Sequence, residues 1–203
     1  MPKILRRVGA NFSIMQKTMI TLLMLLFSFN TFGQELWKYA TPEETEFSEE
    51  SRDEAYLAPN SRFIGKKWYL EVNQYFIFNS NGTFKWIGNV VNNNYGSEVK
   101  LTVILPGTWK RNKSFITLST NYKQSTINID QSSLSKLSAR KRDECKRGIK
   151  QAADENRRMP SDTTTYEIYK LNRDYFFLYN TTGNFIFYSE KMKNEIEKRI
   201  PKE

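Results

Sequence analysis

Short runs of aromatic and β-branched residues, separated by turns rich in Asn and Gly, recur along most of this 203-residue chain. Two examples are FIFNSNGTFKW (residues 76–86) and FFLYNTTGNFIFY (residues 176–188). Gly82 and Gly183 can adopt the positive φ that tight hairpin loops need, and the flanking aromatic residues suit half-buried strands. Because the connections are short, successive strands are expected to pair as antiparallel neighbours. The sequence therefore predicts a mainly β, antiparallel up-and-down meander.

Nine or ten such runs can be read as strands. Six lie between Phe63 and Ser119, with VKLTVIL (residues 99–105) and GTWKR (residues 107–111) as separate strands on either side of Pro106. KQSTINI (residues 123–129) is a further candidate, and three more follow between residues 164 and 189. Leu101, Val103 and Leu105 alternate with more polar positions, as expected for a strand with one buried face. A meander of this length has two exposed edges unless it closes on itself. Closure into a barrel with an aromatic-rich interior is therefore predicted.

Two segments have a helical rather than a β pattern. An inserted basic helix is predicted at about residues 132–158, with Ser132 or Ser133 as its cap and Pro160 after its end. Residues 136–158 contain nine bases and four acids, so its outer face is expected to be strongly positive. A short amphipathic C-terminal helix is predicted at about residues 189–200, packed on the barrel. The buried stripe predicted for the basic helix is Leu134, Leu137, Cys145, Ile149 and Ala152.

Several motifs, in their order, resemble the bacterial secreted lipocalin-like domain proteins, which have a calycin-type up-and-down β-barrel. They are IGKKWYLEV, FNSNGTF, PGTWKRNKSFITL and YEIYKLNRDYFFLY. The resemblance covers about residues 62–190 and implies a lipocalin-like β-barrel domain at residues 61–203. It also implies that Trp109, in the Gly-x-Trp motif, plugs the closed end of the barrel.

Two features depart from the simplest lipocalin-like pattern. Gly65-Lys66-Lys67-Trp68 is one residue longer than Gly-x-Trp, so Trp68 is expected to point differently from Trp109 unless a bulge absorbs the extra residue. The basic helix is also additional to the simplest barrel. It could cap the open end of the barrel or decorate a loop.

The N-terminal residues 1–33 have the pattern of a signal peptide. Four bases precede or flank an apolar run, Met19 to Phe29, of 11 residues, which is shorter than the roughly 20 residues that span a bilayer. Removing this segment lowers the net charge from +9 to 9 − 4 = +5. We expect a periplasmic or secreted protein with no transmembrane segment after cleavage. Residues 34–60 are expected to form an acidic extended leader, since residues 35–60 contain eight acids and two bases.

Composition excludes several kinds of chemistry. The chain has no histidine and one cysteine, Cys145. Ser-His-Asp and Cys-His catalysis, histidine metal sites and an intramolecular disulfide are therefore ruled out. We expect no cofactor, no metal site and no enzymatic activity, although a Tyr, Lys or carboxylate site inside the barrel stays open. The basic residues are not interleaved with aromatic residues, so no nucleic-acid partner is expected.

The candidate ligand-binding residues are inward-facing aromatics: Phe84, Trp86, Tyr166, Phe177 and Phe187. They predict a pocket for a small hydrophobic or amphipathic ligand, unless the same rings fill the barrel. In the alternative function, the barrel is filled and the basic helix binds an acidic protein, a glycan or a lipid headgroup. The acidic leader could also pack across the basic helix, anchored by Trp37, Tyr39 or Phe47.

Overall fold

The computed structural model describes residues 35–45, 55–181 and 183–201. The predicted signal peptide and residues 46–54 of the leader lie outside these described residues.

Eight antiparallel strands close into a barrel, and a ninth strand extends its wall. The barrel strands pair in the order β1-β2-β3-β4-β5-β7-β8-β9, and β9 pairs back with β1. This confirms the antiparallel up-and-down barrel that the lipocalin-like resemblance implies. The strands are β1 (Lys67–Glu71), β2 (Gln74–Phe78), β3 (Thr83–Asn92), β4 (Val99–Asn112), β5 (Phe115–Thr120), β6 (Thr126–Ile129), β7 (Asp162–Leu171), β8 (Tyr175–Asn180) and β9 (Gly183–Ser189).

Strand β4 runs through a proline, where the sequence predicted two separate strands. On one edge it pairs with β3 along residues 99–108. On its other edge, residues 101–104 pair with β6 and residues 107–112 pair with β5. Pro106 therefore lies between two successive partners, where no N–H is needed for the ladder. This explains how a single strand of 14 residues tolerates a proline in its interior.

The interior of the barrel is built from the inward rows of the strands. We call this the interior cluster; its aromatic members are Phe63, Trp68, Phe76, Phe78, Phe84, Trp86, Trp109, Tyr122, Tyr166, Phe176, Phe185 and Phe187. Trp68 and Trp109 both belong to it, so the expectation that Trp68 points differently was wrong. Strand β1 begins only at Lys67, and Gly65 adopts a positive φ of 74° in the preceding turn. The extra residue is thus absorbed before the strand begins.

The predicted basic helix is two helices. The helical segments of the described chain are two turns at Leu36–Tyr39 and Asn60–Arg62, α1 (Pro42–Thr45), helical residues 55–57, a turn at Tyr122–Gln124, α2 (Gln131–Ser135), α3 (Ala139–Arg158) and α4 (Glu190–Glu197). The side chain of Asp130, rather than that of Ser132 or Ser133, caps α2 by accepting a hydrogen bond from the Ser132 amide. Helix α3 begins after Ser138. It carries most of the predicted positive charge.

Helices α2 and α3 cover one end of the barrel. Leu134, Leu137, Cys145 and Ile149 pack against Val99 and Leu101 in a second buried cluster, here called the helix-end cluster. Leu101 lies opposite Ile129, and Val103, a member of the interior cluster, lies opposite Ile127. Directly opposed residues point to the same face of a sheet, so α2 and α3 pack on the continuation of the inward rows. The two helices therefore cap an end of the barrel rather than decorate a loop.

Helix α4 and residues 35–45 of the leader pack on the outside of the barrel. The outer cluster contains Leu36, Tyr69, Phe177, Ile186, Tyr188, Met192 and Ile196. Arg199, just after α4, donates to Glu44 at 2.7 Å. Residues 35–45 of the leader thus dock beside α4 on the outer face of β1, β8 and β9. The prediction that it packs across the basic helix was wrong for these residues, and Phe47 lies outside the described residues.

Candidate ligand site inside the barrel

One half of the barrel interior is filled by packed rings. The ring centroids of Phe176 and Phe187 lie 4.6 Å apart, those of Trp68 and Phe176 lie 4.9 Å apart, and those of Phe63 and Trp109 lie 5.0 Å apart. Such distances are typical of directly packed aromatic pairs. For this half of the barrel, the structure supports the alternative that the aromatic residues fill the core.

The two tryptophans of the filled half have satisfied N–H groups. Trp68 Nε1 donates to the carbonyl of Phe63 at 2.9 Å, and Trp109 Nε1 donates to the carbonyl of Asn79 at 3.1 Å. Both rings are buried. They are therefore structural residues, each of which ties a loop to this end of the barrel.

Arg111 fastens the N-terminal segment across the same end. Its guanidinium donates to the carbonyls of Ala55 and Ala58 and, at 3.1 Å, to Oδ1 of Asn60. The guanidinium carbon also lies 6.0 Å from the ring centroid of Phe63. Burial lowers the pKa of Arg111, but arginine stays charged in proteins. Charge-assisted hydrogen bonds of this kind are about twice as strong as neutral ones, so this end of the barrel is firmly closed.

The half of the interior nearer α3 is different, because it holds a tryptophan without a hydrogen-bond partner. Trp86 is 2% exposed, and its Nε1 has no hydrogen-bond partner in the described structure. Two residues further along β3, Gly88 lies beneath the same ring, since a Cβ there would be 2.6 Å from Cη2 of Trp86. An unpaired buried donor costs about 1–3 kcal/mol. The indole N–H of Trp86 is therefore a ready donor for an acceptor that enters this half.

The wall around Trp86 is set by the pairing of β3 with β4. Trp86 lies opposite Leu105, Gly88 lies opposite Val103, and Val90 lies opposite Leu101. Since paired residues share a face, the indole has aliphatic neighbours on its β4 side, whereas on its β2 side it lies opposite Phe76. Further along the same row, Asn92 is buried, and its Nδ2 also lacks a partner in the described part of the chain.

The structure brings four of the five predicted ligand-binding residues together. Phe84, Trp86, Tyr166 and Phe187 belong to the interior cluster, whereas Phe177 belongs to the outer cluster. Phe84 packs in the filled half, with its ring centroid 5.7 Å from that of Phe76. Burial raises the pKa of the Tyr166 hydroxyl, so this group is neutral at physiological pH. That the interior residues bind a ligand stays a prediction.

Sequence reasoning did not select Gly88 or Asn92 as site residues. A signal for both was present, because they continue the inward alternation that includes Phe84 and Trp86. A buried polar pair also lies where α3 meets the segment before β6: Asn156 Nδ2 donates to Oγ of Ser125 at 2.9 Å. Oδ1 of Asn156 has no partner in the described structure.

Cys145 and the acidic residues offer no second site. Cys145 is fully buried in the helix-end cluster, and burial raises the pKa of its thiol. It acts there as a small apolar residue. Within the described ranges, no group of three or more Cys, Asp or Glu residues could hold a metal ion. In the same ranges, no helix is long and apolar enough to cross a membrane.

Comparison with known proteins gives a similarity among the solved structures. No protein-family model and no curated protein matches this chain. The chain is similar to the crystal structure of a lipocalin-like protein from Bacteroides uniformis ATCC 8492, with 12% sequence identity and a TM-score of 0.34. The similarity covers 63% of this chain and 97% of that chain. The closed barrel is shown by the strand pairing alone.

Proposed function

We propose that this protein is exported and binds a small hydrophobic or amphipathic molecule, without catalysis, in the half of the barrel that α3 covers. The signal peptide pattern of residues 1–33 supports export. The observation that carries the binding proposal is Trp86, whose buried indole N–H has no partner in the described structure. A ligand acceptor at this N–H would remove the cost of the unpaired donor.

The surroundings of Trp86 define the class of ligand. The apolar body of the molecule would contact Leu105, Val103 and Val90, which line the paired rows of β3 and β4. Among the buried residues of the described chain, Glu71 alone has an acidic or basic side chain, and it lies beside Glu35 of the leader. A buried carboxylate would therefore lack a cation to pair with, at a high cost in free energy. The ligand end at Trp86 is a neutral acceptor such as a carbonyl, ether or hydroxyl oxygen.

Tryptophan fluorescence provides the first test. The protein would be titrated with long-chain esters, isoprenoid ketones, fatty acids and apolar dyes while emission is recorded. We expect a saturable change with ligands that carry a neutral acceptor, and weaker binding of the fatty acid of equal length. The absence of a saturable response to every probe would refute the proposal.

A pair of matched variants assigns the response to the site. Trp86→Phe removes the donor but keeps an aromatic ring, whereas Trp37→Phe changes a tryptophan at the outer cluster. Affinities would be measured by calorimetry, which does not depend on the fluorophore. Loss of one hydrogen bond of ordinary strength weakens binding by about fivefold to tenfold. We expect this loss in Trp86→Phe only, and equal affinities for the two variants would place the ligand elsewhere.

A further inference from the structure

A row of basic side chains runs along one flank of α3. Arg142, Lys146 and Lys150 follow one another at intervals of four residues, which places them on one side of a helix about 6 Å apart along its axis. Lys146 and Lys150 are exposed, and Arg142 is half-buried. We call these three residues the basic row.

The basic row has no ion-pair partner in the described structure, although α3 also contains acids. The ion pairs of the helix join Arg140 to Glu144 and Arg157 to Asp154, each at 3.1 Å. Like charges four residues apart destabilise a helix by a few tenths of a kcal/mol per pair. The row therefore weakens the helix that carries it. A role in binding an anion would account for the basic row, whose side chains do not stabilise the folded helix.

The chemistry of the outer surface of α3 selects the kind of anion. The exposed large hydrophobic residues of the described chain are Tyr56, Leu57 and Phe115, and none of them lies on α3. The helix thus lacks the apolar anchors of a membrane-surface helix and the aromatic residues that stack on nucleic-acid bases. It also lacks the aromatic anchors typical of protein–protein hot spots. The remaining way for the outer surface of α3 to recognise a partner is through its regularly spaced charges.

We propose that the basic row binds a linear acidic glycan, a polysaccharide with a carboxylate or sulfate group on its successive sugars. The interval between the row's charges is comparable to the length of one sugar, so successive anionic groups can meet successive bases. The exposed outer flank of α3 is open along its length, while its inner flank packs on the barrel end. This surface is independent of the ligand site inside the barrel.

Binding would be measured with polygalacturonate, which has a uronate on every sugar, and with neutral dextran as the uncharged reference. We expect saturable binding of polygalacturonate at about 50 mM salt that weakens steeply towards about 200 mM. The triple variant Arg142→Gln, Lys146→Gln and Lys150→Gln is expected to bind about tenfold or more weakly, since three exposed ionic contacts are lost together. Its thermal midpoint should be unchanged or higher, because like-charge repulsion is relieved.

Two further variants separate the row from general basicity. Lys85→Gln, Lys191→Gln and Lys198→Gln remove the same number of charges from exposed positions on β3 and around α4, and should bind as the parent does. Asp143→Asn removes an exposed acid from α3 near the row and should bind more tightly than the parent.

Three results would overturn the proposal. The first is the absence of binding at about 50 mM salt, where exposed charges are least screened. The second is an equal loss of affinity in the two triple variants, which would show attraction by net charge. The third is tighter binding of a single-stranded oligonucleotide than of polygalacturonate at the same salt, which would make the partner a nucleic acid.

Discussion

Glu71 is expected to make the stability of this protein fall as pH rises towards neutrality. It is the last residue of β1, is 9% exposed, and accepts a hydrogen bond from Gln74 Nε2 at 2.6 Å. Burial, assisted by the nearby charge of Glu35 and opposed by that of Lys38, raises the pKa of Glu71 from its ordinary value of 4.5 to about 7. Glu35 itself pairs with Lys38 at 2.8 Å. The surroundings thus favour the neutral form of the carboxyl group below about pH 7.

The sign and size of the effect follow from linkage. Between pH 4.5 and 7 the folded protein holds a proton on Glu71 that the unfolded chain has released, so the free energy of unfolding falls across this window. The contribution is fully present below about pH 4.5 and is lost above about pH 7. At 1.36 kcal/mol per pH unit, the loss is about 3 kcal/mol. This is a large part of the 5–15 kcal/mol that is typical of a folded domain.

The substitution Glu71→Gln tests this reasoning, because it keeps the shape and an acceptor for Gln74 but cannot ionise. Urea unfolding of parent and variant would be followed at about pH 5 and pH 8. We expect the variant to be about 2–3 kcal/mol more stable than the parent at pH 8 and nearly equal to it at pH 5. Glu98→Gln, at an exposed position, serves as control. An equal pH dependence in Glu71→Gln and the parent would refute the argument.

Two further substitutions test the barrel itself. Arg111→Met leaves the carbonyls of Ala55 and Ala58 without their charged donor and should lower the free energy of unfolding by about 2–4 kcal/mol. Lys110→Met, at the exposed neighbouring position, should have little effect in the same urea titration. Gly107→Ala would place a Cβ 2.4 Å from the Phe84 ring and 2.5 Å from the Ser119 carbonyl oxygen, so we expect the free energy of unfolding to fall by about 1–3 kcal/mol. The exposed control Thr108→Ala should change it by no more than about 0.5 kcal/mol. Equal stabilities of the two variants in either pair would contradict the packing described.

The strand pattern and turn residues were sufficient to predict the closed barrel, because alternation and short connections are local properties of the sequence. Leu101, Val103 and Leu105 are buried, as their alternation predicts. The split at Pro106 was wrong for a non-local reason. A proline can lie within a long strand when the partner strand changes there, and that change depends on where β5 ends and β6 begins.

Phe177 shows what alternation leaves undecided. Phe176, Phe177 and Leu178 are all buried, although successive residues of a strand point to opposite faces. Phe176 and Leu178 face the interior, while Phe177 is covered from outside by α4 and the leader. A sequence can show that a strand is apolar on both faces, but the inner face is fixed by register with its neighbours. The partnerless N–H of Trp86 is likewise a property of the folded surroundings and has no sequence signal.

The two ends of the barrel differ in how easily they can open. Leu101, at the α3 end of β4, and Arg111, at the other end, are ten residues apart, or about 33 Å along an extended strand. The Arg111 end is held by charge-assisted hydrogen bonds and packed rings. The α3 end is held mainly by aliphatic contacts and by the bond from Asn156 to Ser125. If the proposed ligand binds inside the barrel, its lower-cost entry route is at the α3 end.

Hydrogen exchange can locate this opening. If α3 moves away transiently, its amides should exchange through local openings that leave the β3 and β4 ladder intact. We expect faster exchange in residues 139–158 than in β4, and slower exchange in α3 once a ligand occupies the interior. Polygalacturonate bound to the basic row serves as a control for a ligand inside the barrel. It contacts the exposed flank of α3 and leaves the barrel interior unchanged. Exchange of α3 at the same rate as the central strands would show that the helix opens only with the whole barrel, and entry at this end would then be rejected.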